Sequence, residues 1–209
     1  MLITEATNKT MITKGLDYIA SVDNDVANAL ESYGYPAPRI RPKGIETFFS
    51  IVVGQQLSTH AAAAIMGRAR ELLPELNASS ILDKSDEALR EVGLSKQKTA
   101  YIKGMAQAII SGEFNPDELD HLSNDEAIKV ITNLKGFGPW SAEIYLMFSL
   151  QREDIFPSAD LALLVALQKL KKLKEKPTPK EAKAIIQHWS PYRSAGSLFL
   201  WHYYHGAPS

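Results

Sequence analysis

Apolar residues recur three and four positions apart along most of this chain, the spacing of one helical face. GIETFFSIVVGQQLS (44–58) and THAAAAIMGRARELL (59–73) both carry it. SKQKTAYIKGMAQAIISG (95–112) runs from a serine suited to capping to a glycine suited to stopping. NDEAIKVITNL opens with Ser123 or Asn124 and then acidic residues, which suit a helix N-terminus. PKEAKAIIQHW and RSAGSLFLWHYY complete the series. No strand-like alternation of useful length, internal repeat or low-complexity linker interrupts it. The proline-dense YPAPRIRPKG (35–44) leads from an N-terminal helix into a central bundle. The pattern predicts an all-α protein of about ten short helices.

One interruption stands out. LKGFGPWSAEI (134–144) sets two glycines, a proline and a tryptophan between two helical stretches. Gly136 and Gly138 permit positive φ angles and close backbone approach, and Pro139 suits the first turn of a helix. The reading is a helix–turn–helix hairpin over 124–150. It admits two explanations: a plain turn between helices, or a turn whose free amides face outward as an anion site. Downstream, IFPSADLALLVALQKL (155–170) breaks at Phe156-Pro157 and restarts. Ser158 is the expected cap, Asp160 falls in the first turn, and Leu161, Leu164, Val165 and Leu167 are expected to bury the helix. An acid there commonly serves the helix dipole.

Composition narrows the chemistry. The 209 residues are 45% hydrophobic and 22% charged, with no apolar run long enough to span a bilayer. MLITEATNKTMITKG carries no export signal, and a cytoplasmic location is expected, nucleoid-associated in a bacterium. The absence of cysteine excludes disulfides, thiolate zinc sites and iron–sulfur clusters. Net charge is −1, but residues 1–33 sum to −3 and residues 161–209 to +6. That asymmetry hints at an anionic partner, although Lys169, Lys171, Lys172, Lys174 and Lys176 read first as a solvated run. His202 and His205 lack a third ligand for zinc.

The hairpin followed by F-P-x-x-D-L resembles the helix-hairpin-helix (HhH-GPD) DNA glycosylase superfamily, in its 3-methyladenine DNA glycosylase II branch. VVGQQLS (52–58), GLSKQKTAYIKGMA (93–106) and HWSPYRSAGSLFLWHYY (188–204) extend the likeness over roughly residues 45–205. It implies one domain, 1–209. One lobe would span about 45–150 and the other about 1–44 plus 151–209, with a cleft between them. It implies a monofunctional enzyme that hydrolyses the N-glycosidic bond of alkylated purines in base excision repair, acting as a monomer on double-stranded DNA. Alternatives are a same-fold glycosylase for other damaged or mismatched bases, or a non-catalytic DNA-binding protein.

Residue by residue, the resemblance makes Asp160 the catalytic carboxylate and Trp140 and Trp201 base-pocket aromatics. Lys135, Gly136, Phe137, Gly138 and Ser141 become the DNA-binding hairpin, and Gln56 the wedge. Trp140 stands where bifunctional relatives carry a lysine nucleophile. Backbone carbonyls of 134–139 are where the family can hold Na⁺ or K⁺. Ala159 departs from the acidic residue or glycine common in relatives. Tyr145, Trp189, Tyr192 and Tyr203 are left to the core, and Arg193 is assigned to a carboxylate more readily than to phosphate.

Overall fold

Short polar side chains close many of the helices at their starts, so the first residue of those helices is set by a contact between near neighbours. In the computed structural model, which describes residues 5–206, Ser58, Ser95 and Ser123 accept hydrogen bonds from the third residue of their helices. Glu126 returns the bond to the Ser123 amide at 2.9 Å, a capping box. Residues 1–4 and 207–209, which fall within the single-domain bounds read from the sequence, lie outside the described part.

The helices are α1 (Glu5–Val22), α2 (Asn24–Tyr33), α3 (Ile45–Gly54), α4 (Thr59–Leu72), α5 (Ala78–Leu82) and α6 (Asp86–Glu91). They continue as α7 (Lys96–Ser111), α8 (Asn124–Thr132), α9 (Pro139–Phe148), α10 (Leu161–Leu170), α11 (Pro179–Ile185) and α12 (Arg193–Gly206). Two 3₁₀ turns, Pro116–His121 and Gln187–Trp189, join them, and no strand occurs among the described residues. The all-α expectation is met. The count exceeds the expected ten because α5, α6 and the 3₁₀ turns are too short to show a periodicity.

The chain forms two compact units: residues Arg41–Tyr145, and the residues up to Ile40 together with those from Leu146 onward. In the first, α3 packs on α4 and α7, and α7 on α5 and α6. Phe48 lies at its centre, stacked on Tyr145 at 4.0 Å with Phe114 and Phe137 edge-on at 5.3 and 5.7 Å. The Tyr145 hydroxyl accepts from the Gly44 amide at 2.9 Å, and burial pushes its pKa up to about 12. Tyr145 is therefore a core residue with its one polar atom satisfied.

In the second unit α10, α1 and α2 pack against α12. Leu163, Leu164, Leu167 and Leu170 face this core with Ile19, Phe199 and Leu200. Asp23 is its polar pin. With 1% of its side chain exposed, it caps α2 and accepts from Lys171 Nζ at 2.5 Å, Trp189 Nε1 at 2.7 Å and His188 Nε2 at 2.9 Å. Lys171 also reaches Asp25 at 2.9 Å. The expectation of a uniformly solvated lysine run thus fails at Lys171, which bridges the acidic start of the chain to its basic end. Part of the charge asymmetry is an internal pairing.

Candidate active site

The 124–150 hairpin forms as α8 and α9, with α9 opening at Pro139. Its glycines divide the labour differently from the sequence reading. Gly136 alone has a positive φ, +93°, and a Cβ there would sit 2.2 Å from the Tyr101 ring of α7. Backbone conformation and close packing both demand it. Gly138 has an ordinary φ, is exposed, and has nothing within 4 Å of a Cβ position. Open approach from outside is therefore a property of Gly138. Among the described residues, neither the Gly136 nor the Gly138 amide donates to a protein acceptor, whereas the Phe137 amide donates to Leu134 O at 3.1 Å.

Lys135 is exposed at the tip. Phe137 and Ser141 are 4% and 3% exposed and face inward. What those two residues offer a ligand is main chain. Trp140 is half-buried in the first turn of α9.

The turn between α3 and α4 lies in the same unit. α3 stops at Gly54 and Ser58 caps α4, as the sequence implies. Gln56 sits between them, exposed and with φ +57°, a left-handed backbone that a non-glycine residue seldom holds. Gln55 Nε2 donates to Gly136 O at 2.9 Å, joining this turn to the hairpin. Lys98 Nζ donates to Val53 O and Gln55 O, each at 2.8 Å. Burial holds the Lys98 ammonium below the ordinary lysine value. Sequence reasoning missed Lys98 because its partners lie more than forty positions away and are main-chain atoms.

The carboxylate site belongs to the other unit. Asp160 is not in the first turn of α10 but is its N-cap, accepting from the Leu163 amide at 3.1 Å. Ser158, expected in that place, is buried two residues earlier in the loop. Leu161 consequently opens the helix and is 62% exposed, against the expectation that it buries α10. Asp160 Oδ1 also accepts from Trp201 Nε1 of α12 at 3.2 Å. The Trp201 ring lies 5.8 Å from that of Phe148, whose ring in turn receives the Arg39 guanidinium at 4.9 Å. A carboxylate at a helix N-terminus, an indole bound to it and a backing phenylalanine thus stand together. Phe148, the last residue of α9, supports Trp201.

The remaining candidates are structural. Arg193 forms a two-point pair with Asp154, at 2.6 and 2.7 Å, and Ser190 Oγ donates to the same carboxylate at 2.9 Å. Burial pushes the Asp154 carboxyl up, but these bonds outweigh it and hold the group below its ordinary range. α12 starts at Arg193, two residues past Pro191. Trp189 is fully buried, Tyr192 packs edge-on to Tyr18, and Tyr203 edge-on to Tyr33. His202 Nε2 lies 2.8 Å from the Tyr33 carbonyl. No described helix is long and apolar enough to cross a membrane.

A helical chain with a glycine turn between two helices, then an acid capping a proline-preceded helix, defines the helix-hairpin-helix class. The chain belongs to the HhH-GPD superfamily of base excision DNA repair proteins, whose model matches residues 49–191. DNA-3-methyladenine glycosylase 1 of Schizosaccharomyces pombe is 30% identical over 203 residues, 92% of this chain and 87% of that protein. The solved structure of an S. pombe 3-methyladenine DNA glycosylase in complex with abasic DNA superposes with a TM-score of 0.87 at 29% identity. That match covers 93% of this chain and 98% of the other. A DNA-3-methyladenine glycosidase from Bacillus halodurans gives 0.79 at 30% identity, covering 92% and 89%.

Proposed function

We propose that this protein is a monofunctional DNA glycosylase that hydrolyses the N-glycosidic bond of alkylated purines, of the 3-methyladenine and 7-methylguanine type, in base excision repair. Its substrate is double-stranded DNA containing the damaged base, and it acts as a monomer. The observation that carries the reading is the Asp160–Trp201 pair at the start of α10.

Alkylation at purine N3 or N7 makes the base cationic, so it departs as a neutral molecule and needs little acid catalysis. What the reaction lacks is stabilisation of the sugar, which becomes oxocarbenium-like as the bond breaks. Asp160 supplies a fixed negative charge for that cation. Its Oδ1 is oriented by two donors, the Leu163 amide and Trp201 Nε1, so little reorganisation is needed during the step. The base has to leave the stack to reach it. The faces of Trp140 and Trp201 favour a cationic purine over a neutral one by about 1–2 kcal/mol once water is excluded.

The hairpin serves the sugar–phosphate strand through main-chain amides at Gly136 and Gly138 and the exposed Lys135. Gln56 fills the gap in the duplex, where its amide can hydrogen-bond the unpaired base. With Trp140 in place of a lysine, no Schiff base forms at that position, and the product is an intact abasic site. The hairpin also fits a monovalent cation. Leu134 O accepts one hydrogen bond from the chain and keeps a second lone pair for a metal. Such an ion, when bound, adds positive charge beside a phosphate.

One assay tests the proposal. Duplexes bearing 7-methylguanine, 3-methyladenine, ethenoadenine or hypoxanthine are incubated with the protein and free base is measured. Release of the first two without strand cleavage supports the reading. Release of the neutral lesions alone redirects it to other bases, and binding without release refutes catalysis.

A further inference from the structure

We infer that Lys98 is a positioning residue for Gln56, and this rests on the glycosylase reading above. The last carbonyls of α3 have no helical amide to accept from. Lys98, on the first turn of α7, supplies a cation to one of them, Val53 O, and to the carbonyl of the capping residue that follows, Gln55 O, at 2.8 Å each. A positive charge at a helix C-terminus is favoured there.

The second of these bonds matters most for Gln56. A peptide group is planar, so holding Gln55 O fixes the plane that leads into Gln56. The Gln55 side chain is itself tied to Gly136 O at 2.9 Å, and the Leu57 amide closes the turn on Gly54 O at 3.3 Å. Gln56 is thereby held in its left-handed backbone with its side chain exposed. A residue that has to enter a duplex gains from such holding, because less conformational freedom is lost on entry. Lys98 touches neither base nor sugar in this account. It acts through the main chain of the turn.

The effect is specific to paired lesions. Filling a gap and facing an unpaired base matter when the lesion has a partner, and much less when the opposite nucleotide has no base. The test compares full-length wild type, Lys98→Met and Lys98→Arg on 7-methylguanine opposite cytosine and opposite an abasic analogue. K98M is expected to lose at least about tenfold in kcat/KM on the paired duplex and no more than about threefold on the other, with K98R restoring most of the loss. If K98M does not fold, Lys98→Gln takes its place. Equal losses on both duplexes, or no loss on either, overturn the inference. A wild-type protein that releases no base from either duplex overturns the glycosylase reading, and the role of Gln56 with it.

Discussion

Trp201 Nε1 donates to Asp160 Oδ1 at 3.2 Å, across 41 positions of sequence. The ring assigned to the base is therefore bonded through its edge to the carboxylate assigned to the sugar. One side chain can serve both ends of the reacting bond.

Asp160→Asn separates cap from catalyst. Asparagine caps a helix about as well as aspartate, so thermal stability should change by less than about 1 kcal/mol. Base release should fall by at least about 10³-fold, because the negative charge is gone. An active, well-folded D160N protein would remove Asp160 from the mechanism. Asp160→Ala should lose the activity and also about 1 kcal/mol of stability.

Trp201→Phe keeps an aromatic face and deletes the indole N–H. A hydrogen bond to a charged group contributes about 1.5–3 kcal/mol, so kcat should drop roughly 10- to 100-fold. KM should move much less, because ring burial against Phe148 persists. Steady-state kinetics on a 7-methylguanine duplex separate the two parameters.

The two hairpin glycines should respond in opposite ways. Gly136→Ala places a Cβ at φ +93° against the Tyr101 ring, with 2.2 Å between atoms, and should cost about 3 kcal/mol or more. Gly138→Ala meets nothing and should leave the melting temperature nearly unchanged. Its expected effect is weaker duplex binding, seen as a higher Kd in a fluorescence anisotropy titration.

Acid stability should depend on Asp23. Burial pushes its carboxyl up, but the bonds from Lys171, Trp189 and His188 outweigh that and hold it below the ordinary 3.8. A depressed folded-state pKa means the stabilisation is complete above that ordinary value and is lost as pH falls below it toward the folded value. Asp23→Ala should destabilise the protein by about 3 kcal/mol or more near neutrality, since Lys171 loses its buried partner. It should also flatten the acid limb of the stability profile below the ordinary carboxylate value, measured by denaturant titration.

Local signals made much of this protein readable in advance. Ser95, Ser123 and Gly112 bound their helices as expected because capping is a contact between near neighbours. Pro139 opens α9 for the same kind of reason. Asp160 was recognisable as an acid at a helix start. The offset of two residues arose because Ser158 is an equally good cap in sequence, and tertiary burial of Ser158 decided between them. That offset also explains Leu161, which as the first helical residue lies outside the stripe of Leu163, Leu164, Leu167 and Leu170. Residues whose meaning comes from distant partners were not readable. Gly136 looked like room for a phosphate until Tyr101, thirty-five positions earlier, was found against it. Lys98 carries no signal within its own stretch, and Lys171 reads as one of a solvated run.

The second unit is sewn from both ends of the chain, whereas residues 41–145 are contiguous. On a ribosome, the middle stretch can complete its own contacts while synthesis continues. α1 and α2, made before it, have to wait with Ile19 and Asp23 exposed until α10, Trp189 and α12 emerge. Helices made before the middle stretch thus find their partners after it, which makes nascent α1 and α2 the natural client of whatever holds unfinished chains soluble.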